Sequence, residues 1–176
     1  MLGHVCSIGR GSEMVILMGL PAAGKSTIAG LPFGDSHRFF DCDSIKATHP
    51  DFDPKNPAAL HSWSKARLAE EVAAVWSNPH NFVYDSTGTN PARIEAMIQA
   101  AREAGMKTRL LFVTVTQDVS LERNARRSRV VPENVILEKV EAVRSTFEHV
   151  RFMFDNVETF DNSREDPALD DRAEAV

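Results

Sequence analysis

Residues 19–26 carry the clearest chemical signal in this 176-residue sequence. They read Gly-Leu-Pro-Ala-Ala-Gly-Lys-Ser, a complete match to the pattern G-x-x-x-x-G-K-[ST]. Glycines in this pattern let the backbone curl around an anion, and the N–H groups that open the next helix point at a β-phosphate. The pattern predicts a nucleoside triphosphate site, in which Lys25 neutralises the β- and γ-phosphates and Ser26 ligates Mg²⁺. The residues predicted to bind the nucleotide are Gly19, Ala22, Ala23, Gly24, Lys25, Ser26 and Thr27.

Two aspartates, Asp41 and Asp43, follow a second apolar run. Asp43 is a candidate general base, because a carboxylate there could accept the proton of an acceptor hydroxyl and orient its oxygen for in-line attack. Its alternative roles are a helix cap and a magnesium contact. We expect Ser44 to cap the short helix that follows, and Lys46 on that helix is a candidate for contact with the acceptor.

Residues 85–90 follow a third apolar run and read Asp-Ser-Thr-Gly-Thr-Asn, a segment with two interpretations. The first four residues fit the D-x-x-G of a GTPase switch, but no N-K-x-D for reading guanine follows downstream. The alternative, which we favour, is a substrate-facing turn. Asp85 and Thr87 would then contact the acceptor, and Asp85 would join Ser26 as a magnesium ligand.

Four arginines lie within residues 123–129. A run of like charges is usually a solvated face. Here, however, the run follows the fourth predicted strand, where P-loop kinases carry a mobile lid that closes over ATP. We predict that Arg123, Arg127 and Arg129 stabilise the transferring phosphoryl group while the lid excludes water.

Apolar runs of strand length alternate with helical patterns from Met14 onward, which predicts an α/β fold. We expect a P-loop NTPase fold, with a parallel sheet of about five strands, helices on both faces and a short arginine-rich lid. The Asn90-Pro91 pair predicts the start of a helix, and Gly105 predicts its end. The predicted strands are 14–18, 37–40, 82–84, 109–115 and 157–160.

The composition fits one globular domain, since 43% of the residues are hydrophobic and 26% are charged. The formal net charge of −5 argues against a generic nucleic-acid coat protein, although a local basic cluster can still bind phosphates. Two cysteines cannot form a disulfide framework, and no apolar stretch is long enough to span a bilayer. We expect a cytoplasmic protein with a flexible leader at 1–13, a kinase domain at 14–162 and an acidic flexible tail at 163–176.

Together the motifs GLPAAGKST, FFDCDSIK, YDSTGTNP and ERNARRSRVVP resemble the branch of P-loop kinases that contains zeta toxins and polynucleotide 5′-hydroxyl kinases. The resemblance covers Met14 to about Phe160. It implies that Lys25 and Ser26 hold ATP and Mg²⁺, and that Asp43 is the general base. It also implies that Thr87 matches the threonine after the third strand and that Arg123 opens the lid helix.

The resemblance leaves the acceptor open. Arg123-Asn124 followed by Arg127 is similar to the polynucleotide kinase lid without a gap, whereas Arg129 is similar to the second lid arginine of zeta toxins only if a gap is allowed. Ala69 stands where zeta toxins have a sugar-contacting glutamate, with Glu70 beside it as a candidate for that contact. Phage kinases that act on hydroxymethylated pyrimidines in DNA share this general layout.

We therefore predict an ATP- and Mg²⁺-dependent phosphotransferase whose hydroxyl acceptor belongs to a nucleic acid or nucleotide. The acceptor would be a 5′-hydroxyl end or a hydroxymethyl base in DNA. One alternative is a zeta-toxin-like UDP-N-acetylglucosamine kinase. Another is a nucleotide-binding switch that phosphorylates no acceptor.

Overall fold

A computed structural model of the chain describes residues 11–53, 56–127 and 130–164. The strands in this part of the chain are β1 (Glu13–Met18), β2 (Arg38–Phe40), β3 (Phe82–Asp85), β4 (Lys107–Thr114) and β5 (Asn156–Asp161). The α-helices are α1 (Lys25–Phe33), α2 (Cys42–Ala47), α3 (His61–Ser77), α4 (Pro91–Glu103), α5 (Gln117–Ala125) and α6 (Glu133–Val150), with 3-10 turns at Pro57–Leu60 and Arg151–Met153. The strands form one parallel sheet in the order β2-β3-β1-β4-β5.

Strand β1 lies at the centre of the sheet, with β3 on one side and β4 on the other. Its residues from Met14 to Met18 are fully buried, as expected for an uninterrupted apolar run in a parallel strand that is covered on both faces. The register pairs Leu17 with Asp85, so the carboxyl ends of β1 and β3 are adjacent. Polar residues that follow these two strands therefore meet at one edge of the sheet.

Helices cover both faces of the sheet. The register places Phe82 and Phe112 on the same face. There Trp76 of α3 packs against Phe82 with ring centroids 5.7 Å apart, and Phe147 of α6 stacks on Phe112 at 4.2 Å. Helix α1 lies on the opposite face, where Phe33 packs beneath an arginine side chain of β4.

The predicted fold class is confirmed, and each predicted strand is present with ends that differ by one or two residues. The largest difference is in β4, which begins at Lys107 because Lys107 pairs with Glu13 at the start of β1. Within the residues that the structure describes, no helix has both the length and the apolar character needed to cross a membrane.

The predicted cap of the helix after β2 was wrong. The side chain of Asp41, not that of Ser44, caps α2, with Oδ1 accepting hydrogen bonds from the N–H groups of Asp43 at 2.9 Å and Ser44 at 2.8 Å. An aspartate just before the first turn satisfies two N–H groups that the helix itself leaves without partners, so α2 begins at Cys42. Asp41 therefore has a structural role.

Helix α4 ends as predicted, because Gly105 adopts a left-handed conformation with φ of 71°. An added Cβ there would meet no neighbouring atom, so Gly105→Ala should lower the free energy of unfolding by about 1–2 kcal/mol through backbone strain alone. Gly30→Ala is the matched control, since Gly30 lies within α1 with open space around it, and it should raise the same quantity by about 0.5–1 kcal/mol. Urea unfolding of both variants tests this pair, and shifts of the same sign would contradict it.

Candidate active site

The backbone of residues 19–24 forms a tight loop between β1 and α1. Ala22 and Gly24 both have positive φ, at 57° and 79°, and the Ala23 N–H donates to the Leu20 carbonyl at 3.2 Å. An added Cβ on Gly24 would lie 2.5 Å from the side chain of Asn162, which explains why the pattern needs glycine there. No side chain caps the first turn of α1, so its N–H groups are free to bind an anion.

The carbonyl groups of this loop are held by side chains from distant parts of the chain. Ser120 Oγ on α5 donates to the Pro21 carbonyl at 2.9 Å, and Asn162 Nδ2 donates to the Ala23 carbonyl at 3.0 Å. Both side chains are buried. Asn162 is itself fixed by its backbone N–H, which donates to the Thr114 carbonyl at the end of β4. The contacts give these two loop carbonyls hydrogen-bond donors within the protein.

Lys25, Ser26 and Asp85 meet at the mouth of the loop. Lys25 Nζ lies 3.9 Å from Asp85 Oδ1 and donates to the carbonyls of Gly19 and Leu20 at 3.2 and 3.1 Å. Ser26 Oγ donates to Asp85 Oδ2 at 3.3 Å. Burial lowers the pKa of Lys25 and raises the pKa of Asp85, and in each case the charge of the other residue opposes the effect of burial. A bound phosphate would stabilise the charged form of Lys25, and a divalent cation would stabilise the charged form of Asp85.

The pair formed by Ser26 and Asp85 fits a magnesium ion in kind, because it offers one hydroxyl and one carboxylate oxygen. The described residues contain no cluster of three His, Cys, Asp or Glu side chains that would hold a metal. Magnesium bound here would therefore take its remaining ligands from phosphate oxygens and water, as is usual for this ion at nucleotide sites.

The charges of two further cations, Arg127 and Lys139, also lower the pKa of Lys25. Arg127 was predicted from the arginine run, whereas Lys139 on α6 was missed. The signal was present in the spacing: Lys139 follows Ile136 by three residues and precedes Val143 by four, so it lies on the packed face of α6.

The other predicted lid residues have different positions. Arg123 lies in the last turn of α5, where its Nη2 donates to the Arg164 carbonyl at 3.3 Å. Arg126, in the same run, forms an ion pair with Glu122, four residues earlier in the sequence. Arg129 lies outside the described residues, so its predicted role stays a prediction.

Asp43, the predicted general base, lies in the first turn of α2, which follows the carboxyl end of β2. Its side chain is 67% exposed, while that of Lys46 is 2% exposed and donates from Nζ to Asp43 Oδ1 at 2.8 Å. Lys46 was predicted to contact the acceptor, but the structure places its ammonium beneath Asp43. The charges of Asp41 and Asp43 both raise the pKa of Asp85, so the carboxylates that follow β2 act electrostatically on the carboxylate that ends β3.

Thr87 and Glu70, the other two residues predicted to contact the acceptor, lie in different parts of the structure. Thr87 is half-buried in the turn after β3, where the Gly88 N–H donates to Ser86 Oγ and the turn packs against the end of β1. Glu70 is exposed on α3 and pairs with Arg67 at 3.2 Å. The structure does not bring Glu70 to the carboxyl edge of the sheet. Its neighbour Glu71 pairs with Arg38, the first residue of β2, which lies at the opposite, amino edge.

Arg93 was also missed by the sequence analysis. It lies in the first turn of α4, with its guanidinium carbon 5.4 Å from the ring centroid of Tyr84. Its charge lowers the pKa of the Cys42 thiol and of the Tyr84 hydroxyl, although burial raises both overall. A cation in the first turn of a helix is unfavourable, because it opposes the helix dipole. An arginine three residues after the helix start at Asn90-Pro91 was therefore a signal in the sequence that Arg93 has another role.

Because buried side chains bond to the loop carbonyls, removing one of them should weaken nucleotide binding. Asn162→Ala leaves the Ala23 carbonyl without its partner, which should cost about 1–3 kcal/mol of unfolding free energy. It should also weaken binding of an ATP analogue, because the loop is less rigid. Asn134→Ala, at an exposed position of α6, is the control. Calorimetric titration of folded protein checks this, and unchanged affinity for Asn162→Ala would contradict it.

Comparison with solved structures shows the same fold in several proteins. A chain of the PezAT chromosomal toxin–antitoxin system of the human pathogen Streptococcus pneumoniae superposes with a TM-score of 0.70 at 14% identity, over 89% of this chain and 69% of that one. AvrRxo1-ORF1:ORF2 with ATP gives 0.74 at 22%, over 87% and 55%. A gluconokinase from Sinorhizobium meliloti 1021 gives 0.54 at 14%, over 94% and 90%.

These likenesses establish a fold shared with P-loop kinases. This chain spans only about half the length of the AvrRxo1 chain, with 55% of that chain covered. No curated protein matches the sequence. The family described as AAA domain (AAA_33) matches residues 14–150, which include the phosphate loop, both carboxylate segments and the whole arginine run. The chain belongs to this AAA domain family.

Proposed function

We propose that this protein transfers the γ-phosphoryl group of ATP to a hydroxyl group of a nucleic acid or nucleotide. One observation carries the proposal: the contact of Ser26 and Lys25 with Asp85 lies at the same sheet edge as Asp43. A phosphate loop alone supports nucleotide binding only. A second carboxylate beside it, on a neighbouring strand end, supplies what phosphoryl transfer to an alcohol requires.

On the donor side, the N–H groups of the loop and of the first turn of α1 bind the phosphates. Lys25 bridges the β- and γ-phosphates, and Ser26 and Asp85 hold magnesium. When bound, magnesium neutralises charge that develops on the phosphate oxygens during transfer. Phosphoryl transfer depends on such positioning and charge rather than on a covalent intermediate, so no nucleophilic cysteine or serine is needed.

On the acceptor side, Asp43 accepts the proton of the attacking hydroxyl and directs its oxygen at the γ-phosphorus. Lys46 fixes the orientation of Asp43 through the bond at 2.8 Å. Lys46 is thus a positioning residue in this proposal.

The third part is a group of cations that approaches the triphosphate from the other side. The charges of Arg127 and Lys139 lower the pKa of Lys25, and this electrostatic effect supports assigning both cations to the γ-phosphate. They would stabilise charge on the transferring group as the lid closes. We propose the same role for Arg123 and for Arg129.

The acceptor is tested by offering labelled ATP with three acceptors in parallel. These are an oligonucleotide with a 5′-hydroxyl, DNA containing a hydroxymethyl base, and UDP-N-acetylglucosamine. Label in either nucleic acid supports the proposal, and label in the UDP-sugar alone supports the toxin-like alternative. GTP bound in preference to ATP, with no labelled product, would indicate a nucleotide switch.

Lys25→Ala removes the cation that contacts the β- and γ-phosphates. It should lower kcat/KM for the labelled acceptor by about 10²–10³, equivalent to about 3–4 kcal/mol of transition-state stabilisation. Lys107→Ala, an exposed lysine at the opposite edge of the sheet, is the matched control and should retain full activity. Equal activity of the two variants would refute the donor site.

Asp43→Asn keeps an oxygen for Lys46 but removes the proton acceptor. It should lower kcat by about 10²–10⁴ while the affinity for an ATP analogue stays within about twofold. Asp51→Asn serves as the control, because the Asp51 side chain is 89% exposed beyond α2. Near-normal turnover of Asp43→Asn would show that another group accepts the proton.

A further inference from the structure

The guanidinium of Arg93 is held in place without a carboxylate. The backbone N–H of Arg93 donates to Asn90 Oδ1 at 3.1 Å, which fixes the first turn of α4. Its side chain is half-buried and stacks on the ring of Tyr84, whose residue is 5% exposed. Stacking on an aromatic ring orients a guanidinium and leaves its N–H edges available for an anion.

Two other half-buried arginines, Arg109 and Arg151, have acidic partners, whereas half-buried Arg123 donates to a backbone carbonyl. Arg109 contacts Glu13 at 3.1 Å and Glu158 at 2.5 Å. Within the residues that the structure describes, no carboxylate lies within 4 Å of the Arg93 guanidinium, which distinguishes it from Arg109. A partly desolvated cation without a counter-charge is unfavourable, so an anionic ligand would bind there with little reorganisation.

The position of Arg93 relates it to the acceptor side of the cleft. Tyr84 immediately precedes Asp85 at the end of β3, and the sheet register places its side chain on the face that α3 covers. The register pairs Tyr84 with Phe40, the last residue of β2, and the segment that carries Asp43 follows Phe40 directly. Arg93, stacked on Tyr84, therefore lies on the side of the sheet edge that carries Asp43, and its charge also acts on the Cys42 thiol.

We infer that Arg93 binds a phosphate group of the acceptor while Asp43 binds the acceptor hydroxyl. This inference rests on the proposed function and names the residue that recognises the acceptor. A guanidinium offers two parallel N–H donors that match two phosphate oxygens. A phosphodiester next to a 5′-hydroxyl end and the diphosphate of a nucleotide sugar share this chemistry, whereas a neutral alcohol lacks it.

The test compares acceptors that differ only in phosphate. Adenosine 3′-monophosphate is compared with adenosine, and N-acetylglucosamine 1-phosphate with N-acetylglucosamine, each with labelled ATP. In at least one pair, the wild-type protein should show kcat/KM at least tenfold higher for the phosphorylated member. Arg93→Gln should lower that value about 10- to 100-fold through KM and abolish the preference. Arg93→Lys should give an intermediate value, because a charge without the planar fork remains.

Two controls separate an acceptor role from a structural or donor role. Arg102→Gln changes an exposed arginine in the last turn of the same helix and should leave the preference intact. The affinity of Arg93→Gln for a non-hydrolysable ATP analogue should stay within twofold of wild type. A loss of ATP affinity would assign Arg93 to the donor, and an equal loss with both members of a pair would make it structural; either result overturns the inference.

A binding measurement keeps this test independent of turnover. Calorimetry with the ATP analogue present should show that wild-type protein binds the phosphorylated acceptor and that Arg93→Gln binds it at least tenfold more weakly. If no acceptor is phosphorylated but this difference in binding is found, the phosphotransferase proposal fails and the phosphate site stands. If acceptors are phosphorylated with no difference between the members of either pair, the phosphotransferase proposal stands and the phosphate site is refuted.

Discussion

A phosphate loop can present its N–H groups to an anion only while its carbonyl oxygens find partners elsewhere. In this protein the partners are the side chains of Ser120 and Asn162, both buried and both far away in the sequence. A buried carbonyl left without a donor costs free energy comparable to a lost hydrogen bond, so these contacts select the loop conformation. The nucleotide site thus depends on α5 and on the end of β5 as much as on residues 19–26.

The distribution of charge follows from the same need for fixed geometry. Lys25 and Lys46 are both buried, and each is paired with an aspartate from a different strand end, Asp85 and Asp43. A buried ion pair contributes little to stability, because desolvation offsets its attraction. What the pairs provide is orientation: each fixes a carboxylate at the sheet edge, one toward the donor phosphates and one toward the acceptor.

The sequence was sufficient for the sheet and for the position of the loop between β1 and α1, because both depend on local signals. Short apolar runs and the G-x-x-x-x-G-K-S spacing have a direct structural meaning, and the sheet register then places Asp85 beside Ser26. The cap of α2 was assigned to Ser44 because serine and aspartate are both favoured helix caps, and Asp41 and Ser44 lie only three residues apart. The choice between them depends on where the chain leaves β2.

Contacts between distant residues were outside the reach of such signals. Nothing near Asn162 indicates that it will bond to a carbonyl 139 residues earlier, and nothing near Lys46 predicts that its ammonium will be buried.

The bond from Asn162 to the loop also has a consequence for folding during synthesis. A nascent chain exposes its phosphate loop early in translation, but the donor for the Ala23 carbonyl emerges only near the end of β5. ATP affinity should therefore be acquired late during synthesis, after the last strand has joined the sheet.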